Sequence, residues 1–376
     1  MSPATASGPR ALTLEGPVCL SGGGSLEGVE VAYETFGTLD ATADNAVLVC
    51  HALSGDAHVA TGTGSYGRAH IGWWDGMVGP GCAIDTGRYF VICANVLGGC
   101  SGTTGPAALD PATGSPWGLR FPLVTVEDMV DVQARLLDAL GVTRMLAVVG
   151  GSMGGMQALA WAARYPERTD AIIAAATTAR LGAQAIAFNE VGRAAILADP
   201  AFEGGDYAAD SQPADGLAIA RMVGHITYLS QEGMREKFGR RLRHRDEHAF
   251  EFVTEFEVES YLAYQGRRFV ERFDANTYLY MTKAMDYFDW QPPYDVRLPR
   301  CLVLSFTSDW LFTTHQAREI VRTLLERGAD VSFAEIDSPY GHDAFLLETE
   351  RQGALIGGFL DRAYAERAVC DTGGPR

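Results

Sequence analysis

A continuous apolar run over residues 145–150 leads straight through Gly151-Ser152-Met153-Gly154-Gly155 into an Ala-rich helical pattern that ends at Tyr165-Pro166. No other feature constrains the fold as much. An uninterrupted apolar strand suits a position covered on both faces rather than one with a wet face. Glycines on either side of Ser152 remove the Cβ atoms that would clash in a sharp strand-to-helix reversal, and the serine is left exposed at the carboxyl edge of the sheet. The helix start behind it offers N–H groups without helical partners and a dipole that favours negative charge. With 43 glycines in 376 residues, G-x-S-x-G alone could arise by chance. The strand before it and the helix after it make a nucleophile the better reading than a structural turn.

The same rhythm surrounds this turn. Residues 29–36, 46–51, 89–96 and 171–177 are short apolar runs bounded by turn residues. Helices are expected over 126–140, with Thr125 and Asp128 as a cap and Gly141 as the stop, and over 152–164. Strand, helix, strand in this order indicates the α/β class, a mostly parallel sheet flanked by helices on both faces. From about Arg180 to Val296 no buried strand is visible, and the segment reads as helices with aromatic-rich faces. Strands resume at 302–306 and 331–336, with helices expected over 316–326, opened by Thr313 and Gln316, and over 344–364. The economical organisation is a core of residues 15–180 and 297–368, interrupted by a helical lid over 181–296. Residues 1–14 and 369–376 are expected to be flexible tails.

Charge and cysteine usage narrow the function classes. Net charge is −17, from 47 acidic and 30 basic residues, which argues against general nucleic-acid binding. The basic cluster Arg240, Arg241, Arg243, His244 and Arg245 is followed by Asp246 and Glu247, and reads as a solvated helix face. No apolar run approaches the roughly 18 to 20 residues that cross a bilayer. Met1 to Arg10 lack the apolar stretch of a secretory signal. Seven cysteines occur without a C-x-x-C pair, so neither a zinc site nor a disulfide framework is expected, and Cys50, Cys93 and Cys301 read as buried free thiols. A soluble cytoplasmic protein is the expectation.

A serine hydroxyl is a poor nucleophile until a base takes its proton. In this architecture the partners follow in the order serine, acid, histidine, each after a later strand. Asp309 stands at the exit of the 302–306 strand, and His342 on the turn after 331–336. Asp337 and Asp289 are less well placed as the acid, as are His315, His244 and His248 as the base. An oxyanion hole needs two aimed N–H groups, one from the residue after the nucleophile, Met153. The second candidate is Leu53, in the loop after the 46–51 strand. His51, Asp56 and His58 could also be read as metal ligands, but without a further ligand cluster loop hydrogen bonding is the default and no metal is expected.

Several longer strings go beyond these spacings. His51-Ala52-Leu53-Ser54-Gly55-Asp56-Ala57-His58, Asn95-Val96-Leu97-Gly98-Gly99-Cys100 and residues 150–157 are three of them. Ala220-Arg221-Met222, His225-Ile226-Thr227-Tyr228, Ser305-Phe306-Thr307-Ser308-Asp309-Trp310-Leu311-Phe312 and Gly341-His342-Asp343-Ala344-Phe345 are others. Over about residues 15 to 365 the chain resembles the homoserine O-acetyltransferase family. That resemblance implies an α/β-hydrolase fold with a helical lid and a homodimer formed through it. It also implies transfer of an acetyl group from acetyl-CoA to L-homoserine in methionine biosynthesis, with acetyl-CoA as co-substrate and no permanently bound cofactor. By residue match, Ser152, Asp309 and His342 would form the triad, and Arg221 and Asp343 would bind the amino acid. The local pattern is compatible. In a helix expected over 215–230, Ile219, Met222, Val223, Ile226 and Leu229 form an apolar stripe, and Arg221, His225 and Tyr228 a second one facing elsewhere. Asp343 has an alternative reading as a helix N-cap.

Overall fold

The computed structural model describes residues 7–61, 71–208 and 210–372. Eight strands form one sheet: β1 (Ser7–Thr13), β2 (Glu30–Phe36), β3 (Ala46–Cys50), β4 (Phe90–Ala94), β5 (Met145–Gly151), β6 (Thr169–Ala175), β7 (Arg300–Phe306) and β8 (Val331–Ile336). Their spatial order is β1-β2-β4-β3-β5-β6-β7-β8. β1 and β4 each run antiparallel to β2, and every other pair is parallel. The expected mostly parallel sheet is therefore present, with its antiparallel members confined to one edge.

The central strands are buried on both faces, as their unbroken apolar runs require. Because side chains alternate, Val148 joins the core on one face while Ala147 and Val149 join the other. On the first face pack α1 (Val126–Ala139), α2 (Met153–Arg164) and α8 (Thr314–Glu326). α10 (Thr349–Thr372) covers the second through Ile356, Phe359 and Leu360. The caps of α1 and α8 are the expected ones: Thr125 with Asp128, and Thr313 with Gln316, exchange reciprocal side-chain to backbone hydrogen bonds.

Between β6 and β7 the chain leaves the sheet and builds α3 (Ala183–Ala198), α4 (Ala214–Tyr228), α5 (Gln231–Lys237), α6 (Glu257–Val270) and α7 (Ala275–Tyr287). An isolated bridge between Arg180 and Asp289, with the Trp290 N–H donating to the Ala179 carbonyl, ties the two ends of this excursion together. The excursion has a small apolar cluster of its own, including Ile196, Leu217, Phe269 and Phe273. No helix among the described residues is long and apolar enough to cross a membrane.

Four sequence expectations need correction. Residues 7–13, expected within a tail, form edge strand β1; an edge strand needs a partner on one side only, so it can be short, polar and tolerant of Pro9. The C-terminal tail expected from 369 begins inside α10, which continues to Thr372; residues 1–6 and 373–376 lie outside those described. The single helix expected over 344–364 is broken at Glu348 into α9 (Ala344–Leu347) and α10. At that break the Phe345 carbonyl accepts from the Trp74 indole and the Gln352 amide. Finally, the basic cluster at 240–245 is solvated but not helical, since α5 stops at Lys237 and both Gly239 and His244 take positive φ.

Candidate active site

Ser152 sits at the reversal between β5 and α2 with φ 58° and ψ −125°, a conformation that L residues rarely adopt. The surroundings hold it there. Its N–H donates to the Ala175 carbonyl at 3.0 Å, and its own carbonyl accepts from Thr177 Oγ1 at 2.8 Å. The flanking glycines are required by close approach. A Cβ on Gly154 would lie 2.1 Å from the Cys50 carbonyl oxygen, and one on Gly151 would lie 2.3 Å from the Phe345 ring.

Asp309 follows β7 and His342 follows β8, and the structure brings both to Ser152. His342 Nε2 is 2.9 Å from Ser152 Oγ, and His342 Nδ1 is 2.8 Å from Asp309 Oδ2. The other Asp309 oxygen accepts from the backbone N–H groups of Leu311 and Phe312, at 3.0 and 2.9 Å, so the carboxylate cannot swing away. All three side chains are buried. With Asp309 accepting at Nδ1, the proton of neutral His342 resides there and Nε2 is free to accept the serine proton. Burial disfavours a charged imidazole, but the charge and hydrogen bond of Asp309, helped by Asp343, outweigh it and raise the His342 pKa above 6.5.

Leu53, in the loop after β3, and Ser152 line the same cavity. Met153 is the first residue of α2, so its N–H has no partner within the helix. The cavity wall is otherwise drawn mainly from the lid: Phe188 and Asn189 on α3, Thr227 and Tyr228 on α4, Tyr278 on α7. The two stripes of α4 do not divide cleanly into inside and outside, since Val223 of the apolar stripe lines the cavity. Ile219 and Ile226 are 47% and 42% exposed, whereas His225 is buried and Arg221 and Tyr228 turn inward. The Arg221 guanidinium lies 5.6 Å from the centre of the Tyr228 ring, which is 5.8 Å from that of His342.

Asp343 lies on the 3-10 turn that carries His342, in helical conformation and without the side-chain hydrogen bond of an N-cap. Burial raises its pKa, against the opposing effects of His342 and Arg221. A carboxylate kept partly dry in this way gains from a cationic ligand.

One residue was not singled out from sequence. Arg272, just beyond α6, donates to the Ser54 carbonyl at 2.8 Å and shares the Phe269 ring with Arg221. It stands in Arg267-Arg268-Phe269-Val270-Glu271-Arg272, which reads as an ordinary charged helix end. His225 is held neutral, its pKa lowered to about 3 by burial and by the charges of Arg221, Lys237 and Arg272. The weighed metal alternative has no support. His51 uses both ring nitrogens within the protein, His58 pairs with Glu34 at 3.0 Å, and no metal-holding cluster exists among the described residues. The rejected partners are engaged elsewhere: Asp337 accepts from Thr307, and His315 faces Glu319 at 3.7 Å.

The chain is similar to known proteins over most of its length. The family model described as alpha/beta hydrolase fold matches residues 45–349. Over 368 residues the chain is 53% identical to the homoserine O-acetyltransferase of Solidesulfovibrio magneticus, covering 95% of this chain and 92% of that one. It is also 53% identical over 362 residues to the homoserine O-succinyltransferase of Magnetococcus marinus, covering 93% and 92%. Among solved structures, homoserine O-acetyltransferase from Bacillus anthracis superposes with a TM-score of 0.87 at 27% identity, over 95% of this chain and 98% of that one. Esterase E22 superposes with a TM-score of 0.85 at 27% identity, over 94% and 99%.

Proposed function

The chain belongs to the homoserine O-acetyltransferase family of α/β-hydrolase-fold enzymes, and we propose that Ser152, His342 and Asp309 carry out its reaction, transfer of an acetyl group from acetyl-CoA to the hydroxyl of L-homoserine. The product, O-acetyl-L-homoserine, feeds methionine biosynthesis. The observation that carries this reading is the continuous hydrogen-bonded line from Ser152 through His342 to Asp309 beneath a lid that turns Arg221 inward.

In the first half-reaction Ser152 Oγ attacks the thioester carbonyl as His342 Nε2 takes its proton. The N–H groups of Leu53 and Met153 receive the developing oxyanion, and Asp309 stabilises the imidazolium. Collapse expels the CoA thiolate, which leaves with the proton from His342, and an acetyl-serine remains. Homoserine then occupies the site. His342 takes the proton of its hydroxyl as that oxygen attacks the ester, and the second tetrahedral intermediate collapses to product as His342 returns the proton to Ser152 Oγ. Arg221 receives the α-carboxylate and Asp343 the α-ammonium. Fixing both charges holds the hydroxyl at high effective concentration against water, which the lid excludes. No permanently bound cofactor enters these steps; acetyl-CoA is a co-substrate.

Acetyl is read as the donor on the family likeness, which leaves Arg221 and Arg272, the two cations that reach the loop of Leu53, to the acceptor. The buried Arg193, one turn along α3 from Asn189, is already paired with Asp286 and Glu190, each at 2.8 Å. A second reading, ester hydrolysis by the same triad, draws on the likeness to esterase E22. CoA release from acetyl-CoA and from succinyl-CoA, each with and without homoserine, separates the three. The transferase reading requires homoserine-dependent release with acetyl-CoA preferred. Release that ignores homoserine would make the protein a hydrolase, and a succinyl-CoA preference would replace the donor. Ser152→Ala should abolish acyl transfer with the fold intact.

We further place the dimer interface on the lid, where Ile219 and Ile226 of α4 and Val191 and Leu197 of α3 are exposed. Ile226→Glu should shift a sedimenting dimer to monomer; an unchanged mass would move the interface elsewhere. Six unpaired thiols among the described residues suit a reducing cytoplasm.

A further inference from the structure

His51 immediately follows β3 and is only 1% exposed. Its Nε2 lies 3.1 Å from the backbone nitrogen of Val96 and 3.2 Å from Asn95 Nδ2. A backbone N–H can only donate, so Nε2 is the bare nitrogen and the ring proton resides on Nδ1. Nδ1 is 2.8 Å from the Ala52 carbonyl oxygen, to which it donates. The same oxygen accepts from the Gly55 N–H at 2.9 Å. Burial lowers the His51 pKa, against the raising effects of the Ala52 hydrogen bond and Asp56, so the ring stays neutral in the pH range where the triad works.

The Ala52 carbonyl and the Leu53 N–H belong to one peptide unit. In a trans peptide the two point in opposite directions from a rigid plane, and the chain has no cis bond among its described residues. Fixing the carbonyl therefore aims the amide. One hydrogen bond would leave the plane free to swing about it; two, from the Gly55 N–H and the imidazole, do not. The imidazole is itself immobilised. A Cβ on Gly55 would lie 2.8 Å from His51 Cβ, and the His51 carbonyl accepts from Gln157 on α2, the helix that starts at the nucleophile. Loop and nucleophile are thus referenced to each other through this residue.

We propose that His51 is a positioning residue of the oxyanion hole, its Nδ1–H aiming the Leu53 N–H at the reacting carbonyl. This rests on the reading of Leu53 and Met153 as the oxyanion donors. His51 touches neither substrate nor reacting atoms, and acts through the Ala52–Leu53 peptide alone.

Two variants divide its two hydrogen bonds. His51→Asn can present an N–H near the place of Nδ1 but leaves the Val96 N–H without its acceptor. His51→Gln can reach toward the place of Nε2 but leaves the Ala52 carbonyl without its second donor. Melting temperature, kcat, the KM for homoserine and the affinity of methylboronic acid, which forms a reversible tetrahedral adduct on serine, are measured for both. His51→Gln should melt near the wild type yet lose about ten- to a hundredfold in kcat and a similar factor in boronate affinity, below the cost of deleting a donor outright. Its homoserine KM should stay within about twofold, since ground-state binding does not use the hole. His51→Asn should melt lower and keep kcat and boronate affinity within about threefold of wild type. Full activity in His51→Gln, or parallel losses of melting temperature and kcat in both variants, would overturn the proposal and leave His51 a packing residue. A wild type that binds methylboronic acid no better than Ser152→Ala does would instead remove the oxyanion reading itself.

Discussion

Arg221, on a lid helix, donates to the hydroxyl of Ser54 at 3.3 Å, so the roof of the site closes directly onto the loop after β3. Arg272 reaches the carbonyl of the same residue. The two guanidinium groups lie 4.6 and 5.4 Å from the centre of one ring, Phe269. Burial and the neighbouring Arg221 charge lower the Arg272 pKa, the signature of a cation short of counter-charge.

The α-carboxylate of the acceptor relieves that repulsion. Arg272→Gln is therefore expected to raise the homoserine KM by roughly tenfold, the scale of one charge-assisted hydrogen bond. The rate at which acetyl-CoA acylates Ser152 in the absence of acceptor should be little changed. Steady-state KM and a single-turnover acylation rate, measured side by side, decide it; a loss confined to acylation would assign Arg272 to the CoA instead.

The pH profile follows from the direction of the His342 shift. Acylation needs the neutral imidazole, so kcat/KM should rise with pH through a single acid limb whose midpoint lies above 6.5. The stability contribution has the opposite sense. A histidine whose folded pKa is raised stabilises the fold fully below its unfolded pKa and loses that contribution as pH rises through the folded value. Activity and this part of the stability thus move in opposite directions. A limb midpoint at or below 6.0 would contradict the charge arrangement around the triad.

His225 behaves in the reverse sense. Its pKa is lowered to about 3 in the fold, so between pH 6.5 and 3 the unfolded chain takes up a proton that the folded chain refuses. Stability drains away over that window. His225→Gln should lose less melting temperature than the wild type on going from pH 7 to pH 4.5. Equal losses would mean that the imidazole is solvated in solution.

Backbone strain at the nucleophile is testable by side-chain removal. At φ 58° and ψ −125° a Cβ is unfavourable, at a cost on the order of 1–3 kcal/mol. Ser152→Gly is thus expected to be more stable than Ser152→Ala by about 1 kcal/mol or more in denaturant unfolding, with both inactive. An alanine variant at least as stable as the glycine variant would show that the turn is relaxed.

How much of this could be seen in the sequence depends on what each residue packs against. The sheet was legible because β3, β4, β5 and β6 are covered on both faces and hence apolar without interruption. Ser152 and Asp309 could be located because each stands where an apolar run ends, and His342 because it lies on the turn after the next strand. β1 was missed because a polar edge strand carries little periodic signal. α4 was misleading for a different reason. Hydrophobic patterning assumes that the apolar stripe faces inward, but α4 buries His225, turns Arg221 and Tyr228 inward and leaves Ile219 and Ile226 outside. Arg272 was invisible because a cation that closes onto another loop is written in the same letters as one in solvent. The role of His51 depends on which carbonyl its ring meets, and no spacing encodes that.

The place where the lid enters the sheet bears on how the protein is made. Ser152 precedes the excursion between β6 and β7, whereas Asp309 and His342 follow it. A nascent chain that has emerged as far as Tyr287 holds the nucleophile turn and the whole roof, but neither the acid nor the base. With the triad proposed above, activity therefore requires that translation has delivered β8 and the turn beyond it, and every premature stop upstream yields a silent polypeptide.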